Sequence, residues 1–255
     1  MKYFTIRDQL PDFITNPLFG KRKKFGLEVQ ADDSCWQEWL NTYSSFYAAN
    51  QRKGIGTLVN DAGYRIMAQL NMSGQIVLEI GGGDIRHLDY WIGMPQEYIL
   101  TDIHSDMLIM AENRLNERGI KSKSVLISPQ QPLPFDDSSV DVVVSFYSLE
   151  HLYPLRPYLE DIRRVLKPGG VLIGAIPAEG GLAWGMGRFV TSRRWLKKNT
   201  TINPDKIICW EHPNFAEEIL FELDTMFCRN KLSFWPLPTQ VIDVNLVIRY
   251  VYHKS

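Results

Sequence analysis

The chain has 255 residues, of which 45% are hydrophobic and 22% are charged. These proportions are typical of globular proteins and exclude wholesale disorder and collagen-like repeats. The 28 Lys and Arg side chains are balanced by 29 Asp and Glu side chains, so the formal net charge is −1. A basic nucleic-acid-binding surface over the whole protein is therefore excluded, and we predict no nucleic-acid partner.

The three cysteines are Cys35, Cys209 and Cys228, and none lies at zinc-ligand spacing from another Cys or from a His. So sparse and odd a set does not build a disulfide framework, and the sequence predicts no metal site. The N-terminal residues contain no apolar run of signal-peptide length, and no stretch approaches the roughly 18 apolar residues of a membrane span. We therefore expect a cytoplasmic protein with free thiols and no membrane partner.

The N-terminal part of the chain predicts a helical cap over residues 1–72. Residues 1–34 mix Pro, Gly and charge and are expected to be irregular. Residues 35–49 and 56–71 each carry apolar side chains at helical spacing. The aromatic residues of the first of these helices are Trp36, Trp39, Tyr43, Phe46 and Tyr47. This aromatic face either closes one side of a site or belongs to the ordinary core.

From residue 75 onward, short apolar runs alternate with helical patterns. Such alternation predicts a parallel sheet with helices on both faces and right-handed crossovers. The predicted strands span residues 75–80, 97–102, 124–128, 140–146 and 170–176, and the predicted helices span residues 105–118 and 155–166. Ligands of such sheets bind at the carboxyl ends of the strands, so the residues after each strand are the candidates for a site.

Glycines and acidic residues follow the first two predicted strands. Glu79 precedes three consecutive glycines at 81–83, which allow a sharp turn and a close approach of the backbone to a ligand. Asp102 ends the second strand, where a carboxylate accepts both hydroxyls of a ribose. A dinucleotide fingerprint would need glycine where the chain has Arg86, and Glu79 would repel a pyrophosphate. The pattern favours a nucleoside cofactor with a cationic amino group.

Five motifs stand in order between residues 77 and 176: VLEIGGG, ILTD, LPFDDSSVDVVVS, SLEHL and LKPGG. Together they resemble the class I S-adenosylmethionine-dependent methyltransferases, most closely the small-molecule branch that includes quinone-biosynthesis enzymes. The resemblance implies a Rossmann-like α/β fold with a seven-stranded, mostly parallel sheet, an antiparallel last strand and helices on both faces. A helix over 215–227 and strands over 231–235 and 241–253 support this topology. S-adenosylmethionine is the implied cofactor, and S-adenosylhomocysteine is the implied product.

The resemblance also implies roles for the residues at the first two strand ends. Glu79, Gly81 and Gly83 would hold the methionine part of the cofactor. Asp102 would bind the ribose, and Ile103 would pack on the adenine ring.

Further residues follow from the same resemblance. Ser145 and Leu149 would line the sulfonium side of the cofactor. The family often has an Asp that holds the adenine amino group, and here Ser128 or Gln130 would take its place. The family also has a third glycine in its loop, at the position that Ile85 occupies in this chain. We therefore expect a wider or bulkier loop there.

His151 is the candidate base of the reaction. Nitrogen and oxygen acceptors lose a proton when they are methylated, and a histidine suits that task. His151 follows the fourth strand and has Glu150 as its neighbour. A purely structural role for His151, in which it caps a helix or packs under the cofactor, is the alternative.

A long connection at residues 177–213 separates the fifth strand from the next helix, where a few residues are usual. It carries six Lys and Arg against three Asp and Glu, together with glycines at its start. We predict that it forms a lid over the substrate and that the acceptor is a small, anionic or glycan-linked molecule. The substrate-binding candidates are Tyr147, Trp184, Arg188, Arg193, Arg194 and His212. A solvated basic helix with structural aromatics is the alternative.

We thus predict one methyltransferase domain over residues 1–255. After the cap, residues 73–176 form the cofactor-binding core, residues 177–213 the lid, and residues 214–255 a C-terminal helix and strands. Two other functions stay open: a cofactor-binding protein that has lost catalysis, and an NAD(P)-linked oxidoreductase. The sequence leaves the oligomeric state and the methylated atom undecided.

Overall fold

The computed structural model describes residue 3, residues 5–50 and residues 55–255, without the side chains of residues 44, 47–50 and 55. The predicted contribution of the Tyr47 side chain therefore lies outside the described residues.

A seven-stranded sheet forms the centre of the molecule. Its strands are β1 (Ile76–Ile80), β2 (Glu97–Asp102), β3 (Ser122–Leu126), β4 (Val140–Phe146), β5 (Leu166–Pro177), β6 (Cys228–Trp235) and β7 (Val247–His253). The strand order is β3-β2-β1-β4-β5-β7-β6. β1 to β5 run parallel, and β7 is antiparallel to both β5 and β6. The predicted sheet with an antiparallel last strand is confirmed.

Among the described residues, four helices precede the sheet in the chain and six lie between its strands. They are α1 (Asp12–Phe19), α2 (Arg22–Phe25), α3 (Ser34–Asn50), α4 (Ile55–Tyr64), α5 (Ser105–Glu117), α6 (Leu155–Val165), α7 (Leu182–Val190), α8 (Ser192–Asn199), α9 (Pro204–Glu211) and α10 (Ala216–Met226). Within the described ranges, no helix is long and apolar enough to cross a membrane.

Both faces of the sheet are buried because consecutive strand residues point to opposite sides. Leu78 and Val143 pack with α6 and α10 on one face, while Val77 and Val144 pack with α4 and α5 on the other. Such alternate apolar residues fill two layers, and each buried side chain contributes about 1.5–3 kcal/mol. The two layers fix the strand register and so the positions of the strand ends.

Some elements differ from the sequence prediction. Residues 1–34, expected to be irregular, contain α1, which buries Leu18 and Phe19. The glycine loop after β1 leads into a short 3-10 helix, Arg86–Tyr90, where the sequence analysis assigned no element.

The last strand also begins later than the sequence indicates. It starts at Val247 instead of Val241, because Asn245 holds the preceding segment as a loop. The buried Asn245 amide donates to the Thr239 and Val241 carbonyls at 3.0 and 2.8 Å and accepts from the Leu237 amide at 2.9 Å. A strand over the same residues would leave these groups without partners.

The segment between β5 and α10 folds as the three helices α7, α8 and α9. Together with α3, the helices α8 and α9 enclose a separate apolar cluster, which we call the aromatic cluster. Its buried members are Trp39, Leu196, Ile202, Ile207, Cys209 and Trp210, with Trp36, Tyr43, Phe46 and Trp195 packed against them. The aromatic face of α3 is thus packed on the helices that follow β5.

Candidate active site

The glycine loop lies at the carboxyl end of β1. Gly81 and Gly83 adopt φ values of +67° and +52°, which glycine tolerates without strain. The amides of Gly81 and Gly82 donate to the Thr101 carbonyl at 2.9 and 3.2 Å, which ties the loop to β2. Ile85 replaces the expected third glycine, and its backbone is left-handed, with φ 42° and ψ 42°.

Glu79 lies in the buried strand just before this loop. Tyr98 donates to its Oε2 at 2.7 Å, and His87 Nε2 lies 2.8 Å from its Oε1. Because Trp91 Nε1 donates to His87 Nδ1 at 2.9 Å, the proton of a neutral His87 sits on Nε2, which donates to Glu79. The carboxylate is therefore held by Tyr98 and His87, and Trp91 fixes His87; the sequence did not identify these three residues.

Asp102 ends β2 beside the glycine loop. Its Oδ1 accepts from the His104 amide at 2.8 Å, and its Oδ2 faces the Gly83 amide at 3.4 Å. The hydrogen bond to Asp102 raises the pKa of His104, whose ring stacks on Tyr43 of α3 with centroids 5.5 Å apart. The next residue, Ile103, is 51% exposed.

The adenine side is less enclosed. Ser128 and Gln130 are both exposed, and the Gln130 amide donates to the Tyr158 hydroxyl at 2.7 Å. Either residue is open to contact from solvent.

The end of β4 lies against the glycine loop. Ser148 Oγ donates to the Ile80 carbonyl at 2.9 Å, and a side chain at Gly81 would collide with it. Ser145 is fully buried, and its Oγ has no hydrogen-bond partner among the described residues. Leu149 is fully buried in the core. The structure thus brings Ser145 and Leu149 to the same sheet edge as the glycine loop.

The residues after β4 point in different directions. The Tyr147 hydroxyl donates to the Val59 carbonyl of α4 at 3.0 Å, and burial raises the pKa of Tyr147 well above its usual value. Glu150 is 1% exposed, and its burial raises its pKa to about 7. His151 is partly exposed, with Nδ1 2.5 Å from the Glu211 carbonyl and Nε2 3.9 Å from Glu150.

Glu179 follows β5 and gathers three of the predicted substrate residues. The fully buried Glu179 Oε2 accepts from Trp184 Nε1 at 2.8 Å, pairs with Arg188, and lies 2.9 Å from His212 Nδ1. Burial lowers the pKa of Arg188 to about 9 and holds the pKa of His212 well below its usual value. The sequence reading missed Glu179, although an acid directly after a strand is the signal it used for Asp102.

The other predicted arginines separate. Arg193 is buried in an ion pair with Asp205, with 2.6 Å between Nη1 and Oδ1. Arg194 is exposed on α8, away from this pair. Lys206 pairs with Asp33. Much of the basic charge between β5 and α10 is therefore already balanced by carboxylates.

A family model and several relatives match parts of this chain. A family model described as "Methyltransferase domain" matches residues 78–174. The ubiquinone/menaquinone biosynthesis C-methyltransferase UbiE of Laribacter hongkongensis is 37% identical over 162 residues, 60% of this chain and 65% of that protein. The UbiE protein of Shewanella oneidensis is 32% identical over 104 residues, 39% of this chain and 41% of that protein. The chain thus matches less than two thirds of the length of these relatives.

Solved structures share the fold at low sequence identity. A methyltransferase from Aquifex aeolicus described as SAM-dependent superposes with a TM-score of 0.55 at 16% identity, covering 83% of this chain and 98% of that one. The YcgJ protein of Bacillus subtilis gives a TM-score of 0.53 at 15% identity, covering 76% of this chain and 98% of that one. These structures show the class I methyltransferase fold that the sequence predicts for this chain, and residues 78–174 match the methyltransferase domain model.

Proposed function

We propose that the protein is an S-adenosylmethionine-dependent methyltransferase that acts on a small molecule. The observation that carries the proposal is the position of the Asp102 carboxylate, which ends β2 and faces the Gly83 amide of the glycine loop. A carboxylate at this place is suited to the two hydroxyls of a ribose, and the loop next to it allows a ligand to approach the backbone.

The residues at this edge fit the cofactor. The half-exposed Ile103 offers an apolar surface to an adenine ring, and the unpartnered Ser145 Oγ is a buried polar group at the sulfonium side. Glu79, held by Tyr98 and His87, puts negative charge beneath the loop that suits an ammonium group. The cofactor, when bound, supplies an activated methyl group, and the protein positions the acceptor and excludes water.

We infer that residues 177–213 cover the acceptor and that the acceptor carries a hydroxyl. The names of the UbiE relatives support a quinone-related compound. Those names specify methylation at carbon, so the hydroxyl in this proposal rests on the buried polar groups after β4 and β5 instead. The ion pairs of Arg188 and Arg193 weaken the case for an anionic or glycan-linked acceptor, because both guanidinium groups already face carboxylates.

The three cysteines are free thiols, and the cytoplasmic setting expected from them stays a prediction.

Calorimetry with S-adenosylhomocysteine tests the proposal. We expect the wild type to bind it and Asp102→Asn to bind it more weakly by a factor on the order of ten to a hundred, because charge-assisted bonds to the ribose are lost. Asp106→Asn, at an exposed position in the first turn of α5, is the matched control and should leave the affinity unchanged.

The same titration separates the competing functions. Absence of binding, or binding that Asp102→Asn leaves unaltered, would overturn the proposal. Displacement of the bound ligand by NAD would favour the oxidoreductase reading. Tight binding without methyl transfer to a wide panel of hydroxyl compounds would favour a cofactor-binding protein without catalysis.

A further inference from the structure

A group of buried polar side chains lies where β4 and β5 end. We call it the inner polar cluster, and its members are Glu150, Glu179, Arg188 and His212, with His151 at its rim. His151 links its two halves, because the ring lies 4.7 Å from the His212 ring and its Nε2 lies 3.9 Å from Glu150 Oε1. His212 in turn lies 2.9 Å from Glu179.

Four atoms of this cluster are buried and have no hydrogen-bond partner among the described residues: Glu150 Oε2, Glu179 Oε1, Arg188 Nη1 and His212 Nδ1. Glu150, Glu179 and Arg188 are only 1%, 0% and 8% exposed. A buried polar atom without a partner is costly, and most such atoms in proteins are satisfied by protein groups, water or a ligand. Four of them in one cluster therefore point to a polar ligand.

The unpartnered atoms define the chemistry of that ligand. A carboxylate oxygen accepts a hydrogen bond, and a guanidinium nitrogen donates one. A ligand group that satisfies both kinds of atom must donate one hydrogen bond and accept another, as a hydroxyl does. A carboxylate or phosphate would satisfy Arg188 but would be repelled by Glu150 and Glu179.

His151 connects this site to solvent. Its Nδ1 lies 2.5 Å from the Glu211 carbonyl, which only accepts, so Nδ1 carries the proton in the neutral ring. The unprotonated Nε2 then faces Glu150, while the ring is partly exposed. A proton that leaves Glu150 for solvent therefore has His151 Nε2 as its next acceptor.

We propose that the inner polar cluster binds a hydroxyl of the methyl acceptor between Arg188 Nη1 and Glu150 Oε2, and that Glu150 removes its proton and passes it to His151. This assignment rests on the proposed function and replaces His151 by Glu150 as the group that touches the acceptor. His151 becomes the residue that returns the proton to solvent.

The proton and electron balance of the step is simple. The O–H bond of the acceptor breaks, its proton moves to Glu150 Oε2, and the oxygen keeps the electron pair beside Arg188. That pair forms the new bond to the methyl group, and the sulfur of the cofactor keeps the pair of the broken S–C bond. The proton then leaves Glu150 toward His151 Nε2 across one bridging water, because the 3.9 Å between Nε2 and Glu150 Oε1 exceeds hydrogen-bond reach.

The charges around Glu150 suit this role. Burial raises its pKa to about 7, while His151 and Arg188 act in the opposite direction. Tyr147 from the end of β4 and Tyr250 from β7 also face it, and burial keeps both phenols neutral by raising their pKa values. A base that titrates near neutral pH is effective in proton removal at that pH.

The test uses 4-nitrophenol as a hydroxyl probe on the full chain saturated with S-adenosylhomocysteine, near pH 7. Infrared difference spectroscopy should show a protonated carboxyl band when the probe binds the wild type, because Glu150 takes the proton. The band should be absent in Glu150→Gln, and probe affinity should fall on the order of tenfold. Glu160→Gln, an exposed acid on α6, is the control and should keep both.

Each outcome decides. Failure of the wild type to bind S-adenosylhomocysteine would overturn the proposed function and this inference with it. If that ligand binds but the probe does not, or if no carboxyl band appears in the wild type, the function stands and the assignment of Glu150 falls. The same band in Glu150→Gln would also overturn it. Should Glu150→Gln fail to fold, Glu150→Asp must shift the band, and an unshifted band counts against Glu150.

Discussion

Ile85 has an unusual backbone for a β-branched residue. Its φ of 42° and ψ of 42° lie in the left-handed region, which costs such a residue about 1–2 kcal/mol. The side chain is nevertheless 1% exposed and packs in the layer formed with α4 and α5. Burial of the side chain offsets the backbone strain, which explains how this loop dispenses with the third glycine of the family.

We predict that Ile85→Gly is more stable than Ile85→Ala by about 1 kcal/mol, the reverse of the usual order. Both variants lose the buried side chain, but only glycine relieves the left-handed backbone. Urea unfolding measures the difference. The control pair is Ile109→Gly and Ile109→Ala on the exposed side of α5, where alanine should be the more stable. If the alanine variant is the more stable one at both positions, the backbone at Ile85 is not strained.

His104 gives the site a pH dependence. Its pKa is raised in the folded protein, chiefly by the hydrogen bond to Asp102, so the folded state holds the proton more tightly than the unfolded state. The resulting stability is complete below the unfolded pKa, near 6.5, and is lost as the pH rises through the higher folded value.

We therefore expect the melting temperature of wild type to exceed that of His104→Gln most clearly at about pH 5.5, and the gap to close toward about pH 9. Added salt should narrow the gap at the lower pH, because the ring is partly exposed. Melting curves across this range provide the measurement. A gap that widens with rising pH would contradict the assignment.

At the scale of the elements, β4 and β5 come unusually close where the site is built. A side chain at Gly174 would collide with the Ser145 carbonyl oxygen of the neighbouring strand, and Tyr250 of β7 donates to that same oxygen at 3.0 Å. Glycine at 174 therefore sets the spacing of the strands that carry Ser145 and lead to Glu179.

We predict that Gly174→Ala destabilises the protein by more than about 3 kcal/mol, because backbone must move to admit the methyl group. Gly187→Ala is the matched substitution. Gly187 lies within α7 and has open space where a side chain would go. Alanine there should therefore raise the free energy of unfolding by about 0.5–1 kcal/mol. Chemical denaturation of both variants tests the contrast, and equal effects would refute it.

At the scale of the whole molecule, two kinds of core coexist. The two layers on the sheet hold the cofactor edge, whereas the aromatic cluster joins α3 to α8 and α9. Contacts between these parts include the stacking of Tyr43 on His104, next to Asp102. Because the aromatic cluster is separate from the two layers on the sheet, we expect it to open locally while the sheet stays folded.

We expect Trp39→Ala to speed amide hydrogen exchange in α3 and α9 and to leave the central strands β1 and β4 unchanged. Trp39 is 3% exposed and central to the aromatic cluster, and loss of a buried Trp typically costs about 3–5 kcal/mol. Hydrogen-exchange mass spectrometry resolves the two regions. Equal acceleration in β1 and β4 would mean that the whole molecule unfolds as one unit.

The candidate cofactor edge could be predicted because it depends on short-range sequence. Gly81, Gly83 and Asp102 each follow a strand whose apolar run is legible in the sequence, and parallel strands bring their carboxyl ends to one edge. Signals of this kind require only local pattern and the rules of sheet topology.

The inner polar cluster could not be predicted in this way. Glu150, Glu179, Arg188 and His212 come from separate segments, and the sequence does not indicate which of them face each other. The same limit applies to Arg193, whose apparent availability to an anion disappears once Asp205 pairs with it. Such pairings depend on how the helices after β5 pack.

By itself, the sequence predicted the parallel part of the sheet, since strand periodicity is local and repeats along the chain. The antiparallel last strand followed from the family resemblance that the motifs carry. Only the tertiary structure decided which charges are free and which are paired, since burial and pairing arise when distant segments meet. It also decided that three of the six basic residues after β5, Arg188, Arg193 and Lys206, pair with acids. The residue that meets the acceptor is therefore sought among the buried acids as well as the exposed basic residues.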